Sequence, residues 1–207
     1  MIQFITRSNS NQDKIADAKK ALENGCKWIQ LRMKPEVSDE EFVKVATEIR
    51  QLCNEHHAYF IVADRVNLVK EVKADGVFLA NGDMSVEEAR SILGNRYIIS
   101  GKAHNIEEIK QLYQEGADSI GVGIHHVRDF NSPENSWKQS FEELSNKMKE
   151  ENISSTLFAY GDISPEELAS LKESGVREIA INSKSINKNE APESTISDYV
   201  NGWHAKS

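Results

Sequence analysis

A repeated junction between helical and strand-like segments constrains the fold of this chain most strongly. Four times a glycine stands between the end of a helical pattern and a short apolar run, in ENGCKWI, KADGVFL, EGADSIG and SGVREIA. Such a glycine suits the left-handed residue that closes a helix. Eight apolar segments alternate with eight helix-like segments along the chain. This alternation implies parallel strands joined by helical crossovers.

The eightfold count predicts an α/β protein in which residues 1–207 form a single (β/α)8 TIM-barrel domain. The predicted strands lie at 2–6, 28–33, 59–63, 76–80, 97–100, 119–123, 155–160 and 177–181. A doubly wound open sheet is the competing architecture. No G-x-G-x-x-G follows the first strand, so the dinucleotide-binding version of that sheet loses support.

Charge and composition argue against several classes of function. The net charge is −8 and no Lys/Arg cluster is present, so a nucleic-acid partner is not expected. No apolar run approaches the roughly 20 residues that span a bilayer. The start, MIQFITRSN, does not read as a secretory signal. Cys26 and Cys53 lie in periodic segments without metal-ligand spacing, which is typical of reduced structural thiols in a cytoplasmic protein.

The second predicted strand, within WIQLRMK at 28–34, carries polar residues in alternation. Gln30, Arg32 and Lys34 recur at every second position and should therefore point to one face. Both faces of a parallel sheet are covered, so a solvated face is excluded. The apolar residues between them suit the helical layer. The polar three are predicted to line the barrel interior and its C-terminal mouth, where two buried cations favour an anion.

Polar side chains also follow the neighbouring strands. Asp64 comes directly after the third strand and Asp83 follows the fourth. Two carboxylates beside a polyanion site predict a Mg²⁺ ion that bridges phosphate oxygens. The alternative is that both aspartates only cap the following helices. The turns after strands seven and eight, the first of which contains Gly161, match the phosphate site common in this fold.

Three segments together resemble the thiamine phosphate synthase (thiamine phosphate pyrophosphorylase) family. They are QLRMK at 30–34, ADRVNL at 63–68 and GVFLANGD at 76–83. The resemblance extends from ITR at the first strand to INSKSI at the last, and it is most specific in the first half. It implies a TIM-barrel transferase without a redox cofactor. Such an enzyme joins hydroxymethylpyrimidine pyrophosphate to thiazole phosphate carboxylate and releases pyrophosphate, giving thiamine phosphate in thiamine biosynthesis.

The resemblance also implies residue roles, position by position. Arg32 and Lys34 would be the catalytic residues, because they would stabilise the leaving pyrophosphate. Mg²⁺ would be the cofactor, small phosphorylated molecules would be the partners, and no protein nucleophile would be needed. The implied ligands are Gln30, Arg32 and Lys34 for the pyrimidine substrate, Asp64 and Asp83 for Mg²⁺, and Gly161, Asn182 and Ser183 for the thiazole phosphate.

Several positions, most of them in the second half, depart from the family pattern. Ala63 replaces an asparagine. Lys102 replaces a serine, where it would either supply a replacement cation for substrate or reject the usual ligand. Asp162 follows Gly161 where the family has a second glycine, and a carboxylate there repels an incoming phosphate unless it turns away. The family's Pro-Thr-x-Thr-Lys loop has become Val127 to Asn131, within the longest non-periodic stretch of the chain.

Two other functions stay open from the sequence. The TenI-like branch of the same fold is a thiazole tautomerase that uses a histidine near the end of strand six. His125 and His126 lie in the corresponding segment and could act as the acid and base. A non-catalytic protein that binds thiamine or phosphate ligands would also explain the departures. The sequence leaves the oligomeric state open, with a homodimer as one alternative.

Overall fold

The computed structural model describes residues 1–127, 136–182 and 196–205, without the side chains of His126, Val127 and Ser136. Its strands are β1 (Ile2–Thr6), β2 (Trp28–Leu31), β3 (Tyr59–Ala63), β4 (Gly76–Leu79), β5 (Ile98–Ala103), β6 (Ser119–Gly123), β7 (Thr156–Tyr160) and β8 (Glu178–Asn182). Its helices are α1 (Asn11–Glu23), α2 (Asp39–Glu55), α3 (Val86–Leu93), α4 (Ile106–Gln114), α5 (Ile124–Val127), α6 (Ser136–Glu150), α7 (Leu168–Glu173) and α8 (Ile196–His204). Short 3-10 turns cover Val66–Leu68 and Pro165–Glu167.

The eight strands are parallel and form a closed barrel in chain order. Closure occurs where β1 pairs with β8 as well as with β2, so that Ile5 lies between Asn182 and Gln30. The predicted (β/α)8 barrel is confirmed, and the open doubly wound sheet is wrong.

Alternate residues of each strand face opposite sides of the barrel wall. In β2, Ile29 and Leu31 belong to the large core between strands and helices, whereas Trp28 belongs to a separate interior core. That interior core also contains Ile61, Phe78, Phe158 and Ala180. The barrel is therefore packed at its N-terminal end, and open space can occur only near its C-terminal mouth.

Local signals at the helix ends behave largely as the sequence predicts. Ser85 and Glu88 form a complete capping box at the start of α3. The glycines at 25, 116 and 175 have positive φ angles of 89°, 97° and 91°. Gly76 is different, because it is the first residue of β4, and a Cβ there would lie 2.0 Å from the Ile98 carbonyl oxygen. Its expected helix-closing role is wrong: Lys73, with φ 53°, is the left-handed residue in that segment.

Two expectations from composition can be compared with this architecture. Both Cys26 and Cys53 are buried and unpaired. Burial raises the pKa of Cys26 to about 11 and that of Cys53 to about 12, so both thiols keep their protons at neutral pH. They are structural, as predicted. Among the described residues, none of the helices combines the length and apolar character that crossing a membrane requires.

Two similar polar networks brace the N-terminal end of the barrel. Arg50 of α2 donates to the Asp75 carboxylate at 2.7 Å, and that carboxylate also accepts the Phe60 backbone N–H. Arg90 of α3 donates to the Asp118 carboxylate at 2.7 Å and to three backbone carbonyls, those of Gly94, Tyr97 and Gly116. Each network joins a helix to the start of a strand. This end of the barrel therefore serves stability.

Replacing Arg90 with Met should lower the free energy of unfolding by about 2 kcal/mol, because three partly buried carbonyl oxygens and a carboxylate lose a charged donor. Urea denaturation measures this change. Lys19→Met is the matched control, since Lys19 makes only an exposed 3.9 Å contact with Glu23, and its effect should stay within about 0.5 kcal/mol. Equal effects of the two substitutions would contradict the bracing role.

Candidate active site at the barrel mouth

A cavity of about 500 Å³ opens at the C-terminal ends of β1 to β4. This volume is typical of a site for a small molecule. The charged side chains in its wall are Arg7, Lys14, Arg32 and Lys34 on the cationic side, and Glu41, Asp64 and Asp83 on the anionic side. The structure thus brings both predicted cations and both predicted metal ligands to a single cavity.

Gln30 lies below this cavity, inside the barrel. It is a β2 residue with only 1% of its surface exposed, and it occupies the same strand face as Trp28 of the interior core. Its side-chain Nε2 is buried and has no hydrogen-bond partner among the described residues. A buried amide donor without a partner is costly, so Gln30 is suited to a ligand acceptor.

Arg32 and Lys34 are not buried, contrary to the expectation. Strand β2 ends at Leu31, and both cations lie in the following loop as exposed side chains. Thr6 fixes the transition, because its hydroxyl donates to the Gln30 carbonyl at 3.4 Å and accepts the Arg32 backbone N–H at 3.3 Å. The alternation therefore correctly predicts the common location of these side chains, whereas it misses the end of the strand.

The backbone at the end of β3 adopts an uncommon conformation. Asp64 and Arg65 follow one another with positive φ angles of 58° and 48°. A left-handed conformation costs a non-glycine residue roughly 1–2 kcal/mol. The Asp64 N–H donates to the Phe78 carbonyl of β4 at 2.9 Å, which holds this turn against the next strand. Such backbone is characteristic of functional sites.

Arg65 fastens the β2–α2 loop to the end of β3. Its guanidinium donates to the Pro35 carbonyl at 3.0 Å, to the Val37 carbonyl at 2.6 Å and to the Asp39 carboxylate. The same group lies 5.3 Å from the centre of the Phe42 ring. Because this loop carries the two predicted cations, Arg65 sets their position relative to the neighbouring aspartate.

Neither predicted metal ligand caps a helix. Ser85 is the cap of α3, and the Asp83 carboxylate instead accepts the Ala80 backbone N–H at 2.7 Å. The 3-10 turn after β3 has no side-chain cap, and its cap position is Arg65. The capping alternative for Asp64 and Asp83 is therefore wrong. Among the described residues, no ion pair joins either aspartate to Arg32 or Lys34.

Lys14 is a cavity residue that the sequence interpretation missed. Its ammonium donates to the carbonyls of Ser8, Asn9 and Ser10 at 2.6, 3.2 and 3.4 Å, so it organises the β1–α1 loop. Burial lowers its pKa, and nearby Lys34 acts in the same direction. The missed signal was the position of Lys14, four residues before Ala18 on the buried stripe of α1.

Three described residues of the second half of the predicted site, Lys102, Gly161 and Asn182, do not line this cavity. Lys102 is half-buried and faces the interior, because the preceding Gly101 faces Leu112 on the helical side. Gly161 has φ 122°, and Asn182 is buried at the end of β8. Ser183 and the altered loop at 128–131 lie outside the described residues.

His125, the candidate acid or base of the tautomerase alternative, lies in α5, two residues after the end of β6. It is exposed, and its ring centre lies 6.2 Å from that of Tyr160. A Cβ placed on Gly161 would lie 3.3 Å from the Nδ1 of His125. His125 thus borders the β7 turn and does not belong to the cavity wall. The side chain of His126 is not described.

Known proteins resemble this chain in sequence and in fold. A family model described as thiamine monophosphate synthase matches residues 2–184. Thiamine-phosphate synthases of Bacteroides thetaiotaomicron and Phocaeicola vulgatus are 37% and 38% identical to this chain over 185 residues. Each alignment covers 87% of this chain and 87% of the relative. The solved thiamine phosphate pyrophosphorylase of Pyrococcus furiosus superposes with a TM-score of 0.78 at 25% identity, covering 98% of this chain and 94% of the other.

Replacing Arg65 with Met should release the β2–α2 loop. Amide hydrogen exchange of Val37, whose N–H donates to the Lys34 carbonyl at 3.2 Å, is expected to become about tenfold faster or more, which corresponds to roughly 1.4 kcal/mol of local stability. The exchange rate in Arg65→Lys should lie between those of the unmodified protein and Arg65→Met, because an ammonium lacks the planar fork that reaches several acceptors. The exposed Arg96→Met is the control. Unchanged exchange in Arg65→Met would show that the loop holds its position without the guanidinium.

Proposed function

Because this chain belongs to the thiamine monophosphate synthase family, we propose that it condenses hydroxymethylpyrimidine pyrophosphate with thiazole phosphate carboxylate to form thiamine phosphate. The observation that carries this proposal is the meeting of Arg32 and Lys34 with Asp64 and Asp83 in a single cavity. The tautomerase alternative is not favoured, since the curated relatives reported above are thiamine-phosphate synthases and His125 lies outside that cavity.

The chemistry requires a stabilised leaving group. The methylene–oxygen bond of the pyrimidine substrate breaks, and its electron pair departs with the pyrophosphate. The thiazole nitrogen then forms the new bond to the methylene carbon, and the thiazole carboxylate is lost as carbon dioxide. Arg32 and Lys34 stabilise the charge that develops on the departing oxygen. This step needs positioned charges and no nucleophilic side chain.

The donor set of the cavity fits Mg²⁺. Asp64 and Asp83 follow neighbouring strands, and the described residues contain no cluster of three or more acidic, histidine or cysteine ligands that would form a closed metal site. Proteins commonly hold Mg²⁺ through one or two carboxylates, with substrate phosphates and water completing the octahedron. When bound, the ion would neutralise charge on the pyrophosphate. The two carboxylates would hold it beside Arg32 and Lys34.

The remaining substrate contacts rest on the family resemblance. Gln30 would bind the pyrimidine substrate through its unpartnered amide. Lys102, by contrast, departs from the family pattern and would supply a replacement cation. The thiazole phosphate would be received by Gly161, Asn182 and Ser183 at the ends of β7 and β8. A cytoplasmic location and assembly into a homodimer stay predictions from the sequence.

Asp64→Asn should reduce the rate of thiamine phosphate formation by about a hundredfold or more at fixed Mg²⁺, because a metal carboxylate becomes a neutral amide. The assay supplies both substrates and Mg²⁺ and quantifies thiamine phosphate. Removing the divalent ion with a chelator should abolish activity of the unmodified protein. Glu48→Gln, on the solvent face of α2, is the matched control and should leave the rate unchanged.

Two results would count against this assignment. An unchanged rate in Asp64→Asn would remove Asp64 from metal binding. Saturable binding of pyrophosphate or thiamine phosphate by the unmodified protein, without any product, would indicate a non-catalytic binding protein instead of a synthase.

A further inference from the structure

The inner face of β7 carries an unexplained polar group. Phe158 and Tyr160 face the barrel interior, whereas Leu157 and Ala159 belong to the outer core. The Tyr160 hydroxyl is buried, and it has no hydrogen-bond partner in the part of the chain that the structure describes. A buried hydroxyl without a partner costs roughly 1–3 kcal/mol relative to a satisfied one. A phenylalanine would fill the same space without that cost.

The strand register places this hydroxyl near the candidate active site. TIM barrels fill their interior with layers of four residues from alternate strands. By register, Tyr160 shares a layer with Ile5, Ala63 and Lys102. In β2, Gln30 belongs to the layer below it. Tyr160 therefore lies at the level where the packed interior gives way to the mouth.

The cavity reaches this level from the opposite wall. Three of its lining residues face inward: Ala63 of β3, Phe78 of β4 and Ala80 directly after β4. Two of them are alanines, which leave space above the Phe78 ring. Phe78 contacts Phe158 edge-on at 6.3 Å, and Phe158 lies 6.3 Å from Tyr160. An aromatic floor thus extends from the cavity to Tyr160.

The Tyr160 hydroxyl remains a donor at neutral pH. Burial raises its pKa to about 12, and the positive charge of Arg32 opposes that rise. Gln30 supplies a second unpartnered donor in the same region. Two donors beside these aromatic rings suit a flat heteroaromatic ring whose nitrogens accept hydrogen bonds.

We propose that the Tyr160 hydroxyl donates a hydrogen bond to a ring nitrogen of the pyrimidine substrate, bound over Phe78 with its pyrophosphate extending to Arg32 and Lys34. This inference rests on the proposed function, because that function supplies the pyrimidine. Tyr160 is then a substrate-binding residue that recognises the ring, separate from the residues that bind the leaving group.

Tyr160→Phe tests the inference, with Tyr59→Phe as the matched control at the other end of the barrel. Isothermal titration in Mg²⁺ without thiazole measures the Kd of hydroxymethylpyrimidine pyrophosphate and, separately, of inorganic pyrophosphate. Tyr160→Phe should weaken the pyrimidine ligand about five- to tenfold and leave inorganic pyrophosphate within about twofold. The melting temperature without ligand should not fall, because the substitution removes an unpartnered hydroxyl.

Each other result overturns the inference in a distinct way. Unchanged affinity for both ligands would show that the hydroxyl does not contact substrate. An equal loss for both would place its effect on the anion site. A lower melting temperature would indicate a structural role. If the unmodified protein forms no thiamine phosphate and binds no pyrimidine ligand, the proposed function fails as well. If the unmodified protein forms thiamine phosphate and Tyr160→Phe binds the pyrimidine ligand with unchanged Kd, only the role of Tyr160 is rejected.

Discussion

Closure of the parallel sheet is the constraint on which the rest of the structure depends. Once β8 pairs with β1, every strand is hydrogen-bonded on both sides, and each inward side chain shares one interior with the others. Apolar residues such as Trp28 and Phe158 fill the N-terminal part of that interior. Polar inward residues that no protein group satisfies then belong near the C-terminal mouth, where ligand and water can satisfy them. Deeper in the barrel, the inward hydroxyls of Ser100 and Ser119 are satisfied by each other at 2.7 Å. The location of the site follows from the topology before any catalytic residue is considered.

The left-handed turn at Asp64 and Arg65 illustrates how local cost and function are connected. Two consecutive left-handed residues are unfavourable by themselves. The Arg65 guanidinium offsets that cost, because it binds two loop carbonyls and the Asp39 carboxylate and lies against the Phe42 ring. The same bonds connect the metal-ligand candidate to the loop of Arg32 and Lys34. Backbone strain at the site is therefore balanced by the contacts that fix its geometry.

The sequence predicts the barrel and most of the cavity, because both depend on periodic patterns. Alternation in β2 correctly predicts that Gln30 faces inward, and the strand-end rule correctly predicts that Asp64 and Asp83 lie near the cations. Exact strand ends depend on tertiary bonds such as those of Thr6, so the exposure of Arg32 could not be predicted. Gly76 was misassigned because its requirement comes from the neighbouring strand. No local pattern reports that kind of contact.

The charges at the mouth suit the proposed ligand, which would carry both signs. Within the described residues, Arg32 and Lys34 form no ion pair with Asp64 or Asp83, although all four line one cavity. Internal pairs would have to be broken before a ligand could bind, which would subtract from its affinity. The proposed metal–pyrophosphate ligand would satisfy both sets at once, because its phosphate oxygens would bind the cations and the metal would bind the carboxylates. Such a site would gain its electrostatic stabilisation only when the anion and the metal are present together.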